Sequence, residues 1–231
     1  MSIISVNLQA VEQTIATAIQ ATNRPLSAVQ LLAVSKTFPF EAVLEAMQAG
    51  QRAFGENYVQ EGVDKIAAVA AAAPDVPLEW HFIGPIQSNK TRPIAENFAW
   101  VHAIDRLKIA QRLSGQRPAG LPPLNVCLQV NISGEDSKSG TAAAEVFSLA
   151  KVIDGLPRLS LRGLMCVPAP AATIEERRKP FAALKQLFDQ LKNDYPTLDT
   201  LSMGMSADLD AAILEGATIV RIGTDIFGAR R

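Results

Sequence analysis

Eight short apolar runs that alternate with helical segments predict an α/β fold, a single TIM-type (β/α)8 barrel preceded by an N-terminal extra helix. The runs are mostly apolar on both faces, which is typical of parallel strands covered by helices. A chain of 231 residues has the length of one such barrel, so a second domain is not required. A doubly wound open sheet is the alternative, weakened because no G-x-G-x-x-G sequence follows the first strand.

The predicted elements follow one another along the chain. Residues 1–30 carry the leading helix, predicted over 6–21 because Val11, Ile15 and Ile19 recur at helical spacing. Residues 31–231 form the barrel and a short tail. The predicted strands cover 31–36, 53–57, 80–84, 100–104, 125–131, 160–167, 200–205 and 219–222. The predicted helices cover 40–48, 58–73, 106–114, 141–153, 174–192 and 207–215. Pro93 interrupts a further segment at 88–97.

Composition and charge exclude several classes of protein. The 22 basic and 23 acidic residues give a net charge of -1, so nothing favours binding to nucleic acid or an anionic membrane. No stretch approaches the ~20 apolar residues of a membrane span, and no signal peptide is evident, so we expect a cytoplasmic protein. Cys127 and Cys166 are expected as buried thiols, and two separated histidines give no metal signature.

Lys36 is the first candidate for chemistry, because it closes the apolar run 31–36. Lysine is rarely buried without a partner, and burial of the ammonium favours loss of its proton. A neutral amine attacks carbonyl groups, so a lysine at the carboxyl end of a barrel strand predicts Schiff-base chemistry. The alternative is that Lys36 lies just past the strand and extends to solvent.

The loops after the seventh and eighth strands predict a phosphate site, since TIM-type barrels often bind phosphate there. Their sequences are Ser-Met-Gly-Met-Ser at 202–206 and Arg-Ile-Gly-Thr at 221–224. Glycine lets the backbone approach an anion, and Ser206 and Thr224 add hydroxyl donors, although Ser206 could be only a helix N-cap. A lysine opposite a phosphate site indicates either pyridoxal phosphate (PLP) or the sugar phosphate of a Schiff-base aldolase.

Several ordered motifs make the sequence recognisable. The chain resembles the YggS/PROSC family of PLP-binding proteins, also called PLP homeostasis proteins, from about residue 31 to residue 230. The motifs that carry the resemblance are AVSKT at 33–37, FGENY at 54–58, HFIGPIQSNK at 81–90, VNISG at 130–134, RGLM at 162–165, SMGMS at 202–206 and RIGT at 221–224.

The resemblance implies a barrel like the N-terminal barrel of alanine racemase (fold-type III), with PLP held as an internal aldimine on Lys36. It implies that the phosphate lies near Ser206, Gly223 and Thr224, and the pyridine nitrogen near Arg221. It also implies that Asn57 and the strand over 81–84 line the pyridine ring. The implied cofactor-binding residues are Lys36, Asn57, His81, Ile83, Gly84, Met205, Ser206, Arg221, Gly223 and Thr224.

Arg221 bears on whether the protein is an enzyme. Arginine stays protonated and only donates hydrogen bonds, so beside the pyridine nitrogen it keeps that nitrogen unprotonated and the ring a poorer electron sink. Asp225 stands where the family has a small residue, and it offers Arg221 a competing ion pair.

We expect a PLP carrier with no catalytic residue rather than an enzyme. The related racemases and decarboxylases add a C-terminal β-domain and use a second acid or base, whereas this sequence ends soon after the eighth strand. Neither tyrosine, Tyr58 or Tyr195, has an obvious place at the mouth. The expected role is to buffer PLP in vitamin B6 homeostasis or deliver it to apo PLP-dependent enzymes. A weak amino-acid racemase is the alternative.

The polar segment 133–140 follows the fifth strand, and we expect it to act as a lid. Lys138 within it is a candidate to gate cofactor exchange or to accept PLP from Lys36; the alternative is a solvated loop lysine. No long apolar face remains once the barrel and the leading helix are assigned, so we expect a monomer.

Overall fold

Eight parallel strands close into a barrel in the computed structural model, which describes residues 2–134 and 139–229. Neighbouring strands follow chain order and the last strand pairs with the first, so the sheet has no free edge. The predicted barrel is confirmed. The strands are β1 (Gln30–Val34), β2 (Ala53–Glu56), β3 (Glu79–Phe82), β4 (Trp100–Ile104), β5 (Leu124–Gln129), β6 (Leu159–Met165), β7 (Thr200–Ser202) and β8 (Ile219–Ile222).

Helices cover the outside of the barrel between successive strands. They are α1 (Ile3–Gln20), α2 (Phe40–Gln48), α3 (Val59–Ala72), α4 (Thr91–Asn97), α5 (Leu107–Gln116), α6 (Val146–Asp154), α7 (Ile174–Asp194), α8 (Leu209–Leu214) and α9 (Thr224–Phe227). Pro93 lies in the first turn of α4, where a backbone N–H has no partner within the helix, so it does not prevent this helix from forming.

The leading helix α1 fills a gap in the helical layer beside the last strand. Its buried apolar face consists of Ile4, Leu8, Val11, Ile15 and Ile19. The helix packs against α2, α8 and α9, and Asn7 Nδ2 donates to the Ile226 carbonyl oxygen over 3.0 Å. Because α9 has only 4 residues, α1 takes the place that a full-length eighth helix would occupy.

Several element boundaries differ from the expected ones. Strand β1 ends at Val34 instead of residue 36, and β7 ends at Ser202 instead of residue 205. In both strands the backbone leaves the ladder early to form a loop at the barrel mouth. The helix predicted over 141–153 begins only at Val146, since Thr141 forms an isolated bridge with Val130.

The barrel interior combines apolar and polar side chains. Two apolar clusters lie apart from the main core, one of Leu32, Ala53 and Ile219 and one that includes Trp100 and Met165. Both cysteines are free and buried, as expected. Within residues 2–134 and 139–229, no helix is long and apolar enough to cross a membrane, and no side-chain cluster could hold a metal ion.

Candidate functional site

A pocket of about 340 Å³ lies at the carboxyl ends of the strands, within the range of ~300–1,000 Å³ typical of small-molecule sites. Its lining residues are Val34, Lys36, Asn57, Ile83, Val167, Met205, Ser206, Ala207, Arg221, Gly223 and Thr224. All the predicted site residues except His81 and Gly84 are among them. The closed barrel therefore brings together side chains from the beginning and the end of the sequence.

The pocket lining is positively charged. Lys36 and Arg221 are its cationic side chains, and the described residues of the lining include no carboxylate. The hydroxyls of Ser206 and Thr224 add neutral donors. This combination suits an anionic ligand, because cations and hydroxyl donors both complement the oxygens of a phosphate.

Lys36 lies two residues beyond the end of β1 and is half-buried. The preceding Ser35 is fully buried, and its N–H donates to the Gly55 carbonyl oxygen over 3.1 Å. Thr37 adopts a φ of 68°, a left-handed conformation that is unfavourable for a β-branched residue. The turn at Thr37 ends the strand, so Lys36 reaches the pocket from a loop and not from a buried strand position.

A buried ion pair anchors the residue before Lys36. Lys65 Nζ donates to Glu56 Oε1 over 2.6 Å and to the Ser35 carbonyl oxygen over 2.8 Å. The Ser35 hydroxyl also donates to Glu56 Oε1, over 2.7 Å. Burial raises the pKa of Glu56, although Lys65 opposes this shift. These contacts fix the backbone at Ser35 and therefore the position from which the Lys36 side chain departs.

The same lysine anchors the residue after Lys36. Lys65 Nζ lies 3.0 Å from Glu61 Oε1, and that oxygen accepts a hydrogen bond from the Thr37 N–H over 2.5 Å. The contact holds Thr37 in its left-handed turn. The sequence does not single out Lys65; its one signal is a lysine on the inward face of a predicted amphipathic helix.

Asn57 follows β2 and carries an unpaired acceptor. Its Oδ1 is buried and has no hydrogen-bond partner among the described residues. Buried polar atoms nearly always have a partner, so an unpaired acceptor in a pocket indicates a donor supplied by a ligand. Gly84 packs against the Asn57 backbone and is not among the lining residues, and its contact with a cofactor stays a prediction. A Cβ at Gly84 would lie 2.3 Å from the Asn57 carbonyl oxygen.

His81 also lies outside the pocket lining, and its contact with a cofactor ring stays a prediction. It precedes Ile83 by two residues, so both side chains lie on the same face of the strand and His81 is deeper in the barrel. The imidazole is fully buried, with Nδ1 2.9 Å from His102 Nε2 and Nε2 2.9 Å from Glu79 Oε1. Both ring nitrogens are therefore engaged within the barrel.

The guanidinium of Arg221 is buried and held by three hydrogen bonds. Nη1 donates to the carbonyl oxygen and Oγ of Ser202 over 2.6 and 2.8 Å, and Nη2 donates to the Cys166 carbonyl oxygen over 2.9 Å. Burial lowers the pKa of Arg221, but a guanidinium keeps its proton at ordinary pH. Asp225 is exposed on α9 and is not among these acceptors, so the carbonyls and Ser202 hold Arg221.

The loop after β7 is shaped by Gly204 and Asp208. Gly204 has a φ of 94°, and a Cβ there would lie 2.6 Å from the Ala212 Cβ. Asp208 Oδ1 accepts a hydrogen bond from the Met205 N–H over 2.6 Å. Asp208 is also the N-cap residue of α8. The alternative in which Ser206 caps this helix is therefore wrong, and Ser206 stays exposed at the pocket.

Two residues considered from the sequence lie elsewhere, and a third is not among the described residues. Tyr58 is exposed and Tyr195 packs against the outer core, and neither lines the pocket. Lys138 lies outside the described residues, which end at Gly134 and resume at Ser139. The expectation for Lys138 stays a prediction.

The fold and the site define a class of protein: a TIM-type barrel with a lysine after its first strand and with hydroxyl and cationic side chains at the mouth near its last two strands. The chain matches the family of the alanine racemase N-terminal domain over residues 6–231. Relatives from Pseudomonas aeruginosa and Vibrio cholerae, both named pyridoxal phosphate homeostasis protein, are 60% and 58% identical over 230 residues. The alignments cover 100% of this chain and 97% and 98% of those relatives. The chain belongs to the pyridoxal phosphate homeostasis proteins within that family.

Solved structures show the same relationship. PipY of Synechococcus elongatus, solved with PLP bound, superposes with a TM-score of 0.77 at 37% identity, covering 93% of this chain and 100% of PipY. Alanine racemase of Clostridium difficile superposes with a TM-score of 0.72 at 14% identity, covering 94% of this chain and 56% of the racemase. At that identity the racemase shares only the fold.

Proposed function

We propose that this protein binds PLP in the pocket at the strand ends, holds it through Lys36, and buffers or delivers it. The observation that carries the proposal is that Lys36 shares one positively charged pocket with Arg221, Ser206 and Thr224. PLP has the two features that this lining complements, a phosphate group and a reactive carbonyl.

Each part of the lining has a role in this proposal. When bound, PLP supplies an aldehyde that reacts reversibly with a primary amine, and Lys36 offers that amine. The hydroxyls of Ser206 and Thr224, with backbone N–H groups of the loop at Gly223, bind the phosphate. Asn57 Oδ1 accepts a hydrogen bond from a donor on the ligand, which gives this buried acceptor the partner it lacks.

Arg221 favours a carrier over an enzyme. We place its remaining N–H donors beside the pyridine nitrogen of PLP. A guanidinium offers no acceptor and does not release its proton, so that nitrogen stays unprotonated. The ring then withdraws electrons less strongly and stabilises a carbanion poorly. Reversible holding of the cofactor needs no such stabilisation, whereas racemisation is faster with it.

The relatives support the same assignment. Proteins that are 54–60% identical to this chain are named for PLP homeostasis, and the PipY structure contains PLP. A role in homeostasis agrees with binding and release of the cofactor without turnover of another substrate.

The visible spectrum tests the proposal, because PLP bonded to a lysine absorbs visible light. The parent protein should develop a visible band when PLP is added, and Lys36→Ala should not. Lys90→Ala is the matched control, since Lys90 is exposed and lies outside the pocket. A parent protein that stays colourless would exclude PLP and leave the Schiff-base aldolase as the interpretation. A visible band that persists in Lys36→Ala would show that PLP does not bond to Lys36.

A weak PLP-dependent amino-acid racemase is the second candidate, because the chain matches the alanine racemase N-terminal domain family. Incubation of the PLP-loaded protein with single-enantiomer amino acids in deuterated water distinguishes the two. We expect no sustained incorporation of deuterium at Cα. Sustained incorporation would overturn the carrier role.

We propose apo PLP-dependent enzymes as recipients of the cofactor, a cytoplasmic location, and a monomer in solution. Transfer of PLP from the loaded protein to an apo-enzyme, measured by recovered enzyme activity against an equal concentration of free PLP, tests the first of these.

A further inference from the structure

A line of polar side chains crosses the barrel interior from its amino-terminal end to the pocket. It begins at Glu79, the first residue of β3, and continues through His81 to His102 on β4. Glu79 Oε1 lies 2.9 Å from His81 Nε2, and His81 Nδ1 lies 2.9 Å from His102 Nε2. His102 Nδ1 lies 2.7 Å from Ser202 Oγ, which accepts from Arg221 Nη1 over 2.8 Å.

The line is buried except at its first member. His81, His102 and Ser202 have no exposed surface and Arg221 is 5% exposed, whereas the Glu79 side chain is 41% exposed. Barrel interiors are usually filled by branched apolar residues. A polar line is tolerated there only when its groups are hydrogen-bonded, and each of these groups has a partner on both sides.

The two ends of the line set the direction of every hydrogen bond in it. The Glu79 carboxylate can only accept, so His81 carries its proton on Nε2 and donates it to Glu79. A neutral His81 then accepts at Nδ1, so His102 carries its proton on Nε2 and donates to it. His102 Nδ1 in turn accepts from the Ser202 hydroxyl, whose oxygen accepts from Arg221, a side chain that only donates. Both histidines are thereby assigned as neutral Nε2–H tautomers.

We propose that Glu79, His81 and His102 are positioning residues that act through Ser202 to hold the Arg221 guanidinium in place at the pocket. The carboxylate at one end of the barrel selects the tautomers, and the tautomers leave Ser202 Oγ oriented to accept from Arg221. The consequence for the ligand rests on the proposed function, since it concerns PLP bound beside Arg221. The tautomers themselves do not depend on any ligand.

The charges around the two imidazoles favour this arrangement. His81 faces Glu79 on its own strand and His102 on β4, and His102 also faces Arg221 on β8. Burial lowers the pKa of both histidines, and the charge of Arg221 lowers that of His102 further. The hydrogen bond from His81 lowers the pKa of Glu79 to about 2. The imidazoles are therefore neutral and the carboxylate is charged near neutral pH.

The tautomers can be measured in the ligand-free protein. Nitrogen-15 spectra of histidine-labelled protein at pH 7.5 should show both imidazoles neutral and protonated on Nε2. Glu79→Gln, whose amide can either accept or donate, should change the nitrogen shifts of His81 and also those of His102, which does not touch residue 79. A proton on Nδ1 of either histidine in the parent protein would overturn the proposed tautomers. Nitrogen shifts of His102 that are the same in Glu79→Gln as in the parent protein would overturn the proposed link from Glu79 to His102.

The link to the ligand is measured by PLP affinity and by the position of the visible band. Glu79→Gln should weaken PLP binding by about three- to tenfold, the worth of one ordinary hydrogen bond at Arg221, and should shift the band. Asp199→Asn is the matched control, because Asp199 precedes β7 at the same end of the barrel but pairs with Arg162. It should change neither quantity.

The outcomes separate the two proposals. A Glu79→Gln protein with the PLP affinity of the parent protein and an unshifted visible band would overturn the link between this line of polar side chains and the ligand. A parent protein that binds no PLP would overturn the proposed function, whereas the nitrogen-15 measurement would still decide the tautomers.

Discussion

At the scale of single residues, the amine proposed to bond to the ligand and the groups proposed to bind its phosphate lie on different loops of the pocket. Lys36 and Asn57 follow the first two strands, whereas Ser206 and Thr224 follow the last two. Because the two sets lie on different loops, phosphate binding can be weakened without disturbing Lys36.

Removal of one phosphate-binding hydroxyl should weaken PLP binding selectively. Ser206→Ala or Thr224→Ala should each raise the dissociation constant about tenfold or more, since a hydrogen bond to a charged group contributes about 1.5–3 kcal/mol. Titration followed by the visible band gives the measurement. Pyridoxal, which lacks the phosphate, is the control ligand, and its affinity should not change. An equal loss for both ligands would contradict the assignment of these hydroxyls to the phosphate.

The sequence predicts residues at the ends of strands better than residues deep in the barrel. Lys36, Arg221 and Thr224 are recognisable because a polar or charged type follows an apolar run. His81 lies inside β3 between Trp80 and Phe82, and its depth in the barrel depends on how neighbouring strands stagger, which the sequence of one strand does not reveal. Lys65 acts on Lys36 from a helix, and no spacing rule connects the two.

At the scale of elements, the turn that follows β3 determines where the loop after β2 lies. Gly84 packs directly against the Asn57 backbone, and a Cβ would approach its carbonyl oxygen to 2.3 Å. No rotamer can relieve a clash between a Cβ and a backbone atom, so the two loops must move apart if residue 84 gains a side chain.

Gly84→Ala should therefore lower both stability and ligand affinity. Overpacking of this kind costs about 1–3 kcal/mol in the free energy of unfolding, and displacement of Asn57 should weaken PLP binding. Gly120→Ala is the control, since a Cβ at Gly120 meets no atom within 4 Å. Urea unfolding and PLP titration of both variants provide the test. A Gly84→Ala protein as stable as Gly120→Ala would contradict the close approach.

Element order is predictable here because apolar runs and helical periodicity record which segments are buried. Strands β4 and β8 lie where the apolar pattern predicts them. The ends of β1 and β7 were predicted too late, because Ser35 and Met203 remain buried after the ladder stops. Burial and strand pairing are different properties, and a hydrophobic pattern reports only the first.

At the scale of the whole molecule, the buried histidines couple pH to stability. Burial lowers the pKa of His81 and His102 below the ordinary value of 6.5. Below that pH the unfolded chain binds protons that the folded chain does not. The stability contribution is therefore complete above pH 6.5 and is lost as pH falls below it, by at most about 1.4 kcal/mol per pH unit for each histidine.

Urea unfolding between pH 7 and 5.5 should show this decline, and the decline should be shallower in His102→Asn. The raised pKa of Glu56 opposes the decline in both proteins, so the difference between them isolates His102. Identical slopes in parent and variant would mean that His102 titrates normally in the folded protein.

The whole molecule is a closed barrel with Lys36 among the side chains at its mouth, and we propose that PLP bonds to this lysine. Borohydride reduction of the PLP-loaded protein makes that bond permanent, and peptide mass spectrometry then locates the modified lysine. We predict the phosphopyridoxyl group on Lys36. Modification confined to another lysine would contradict the claim.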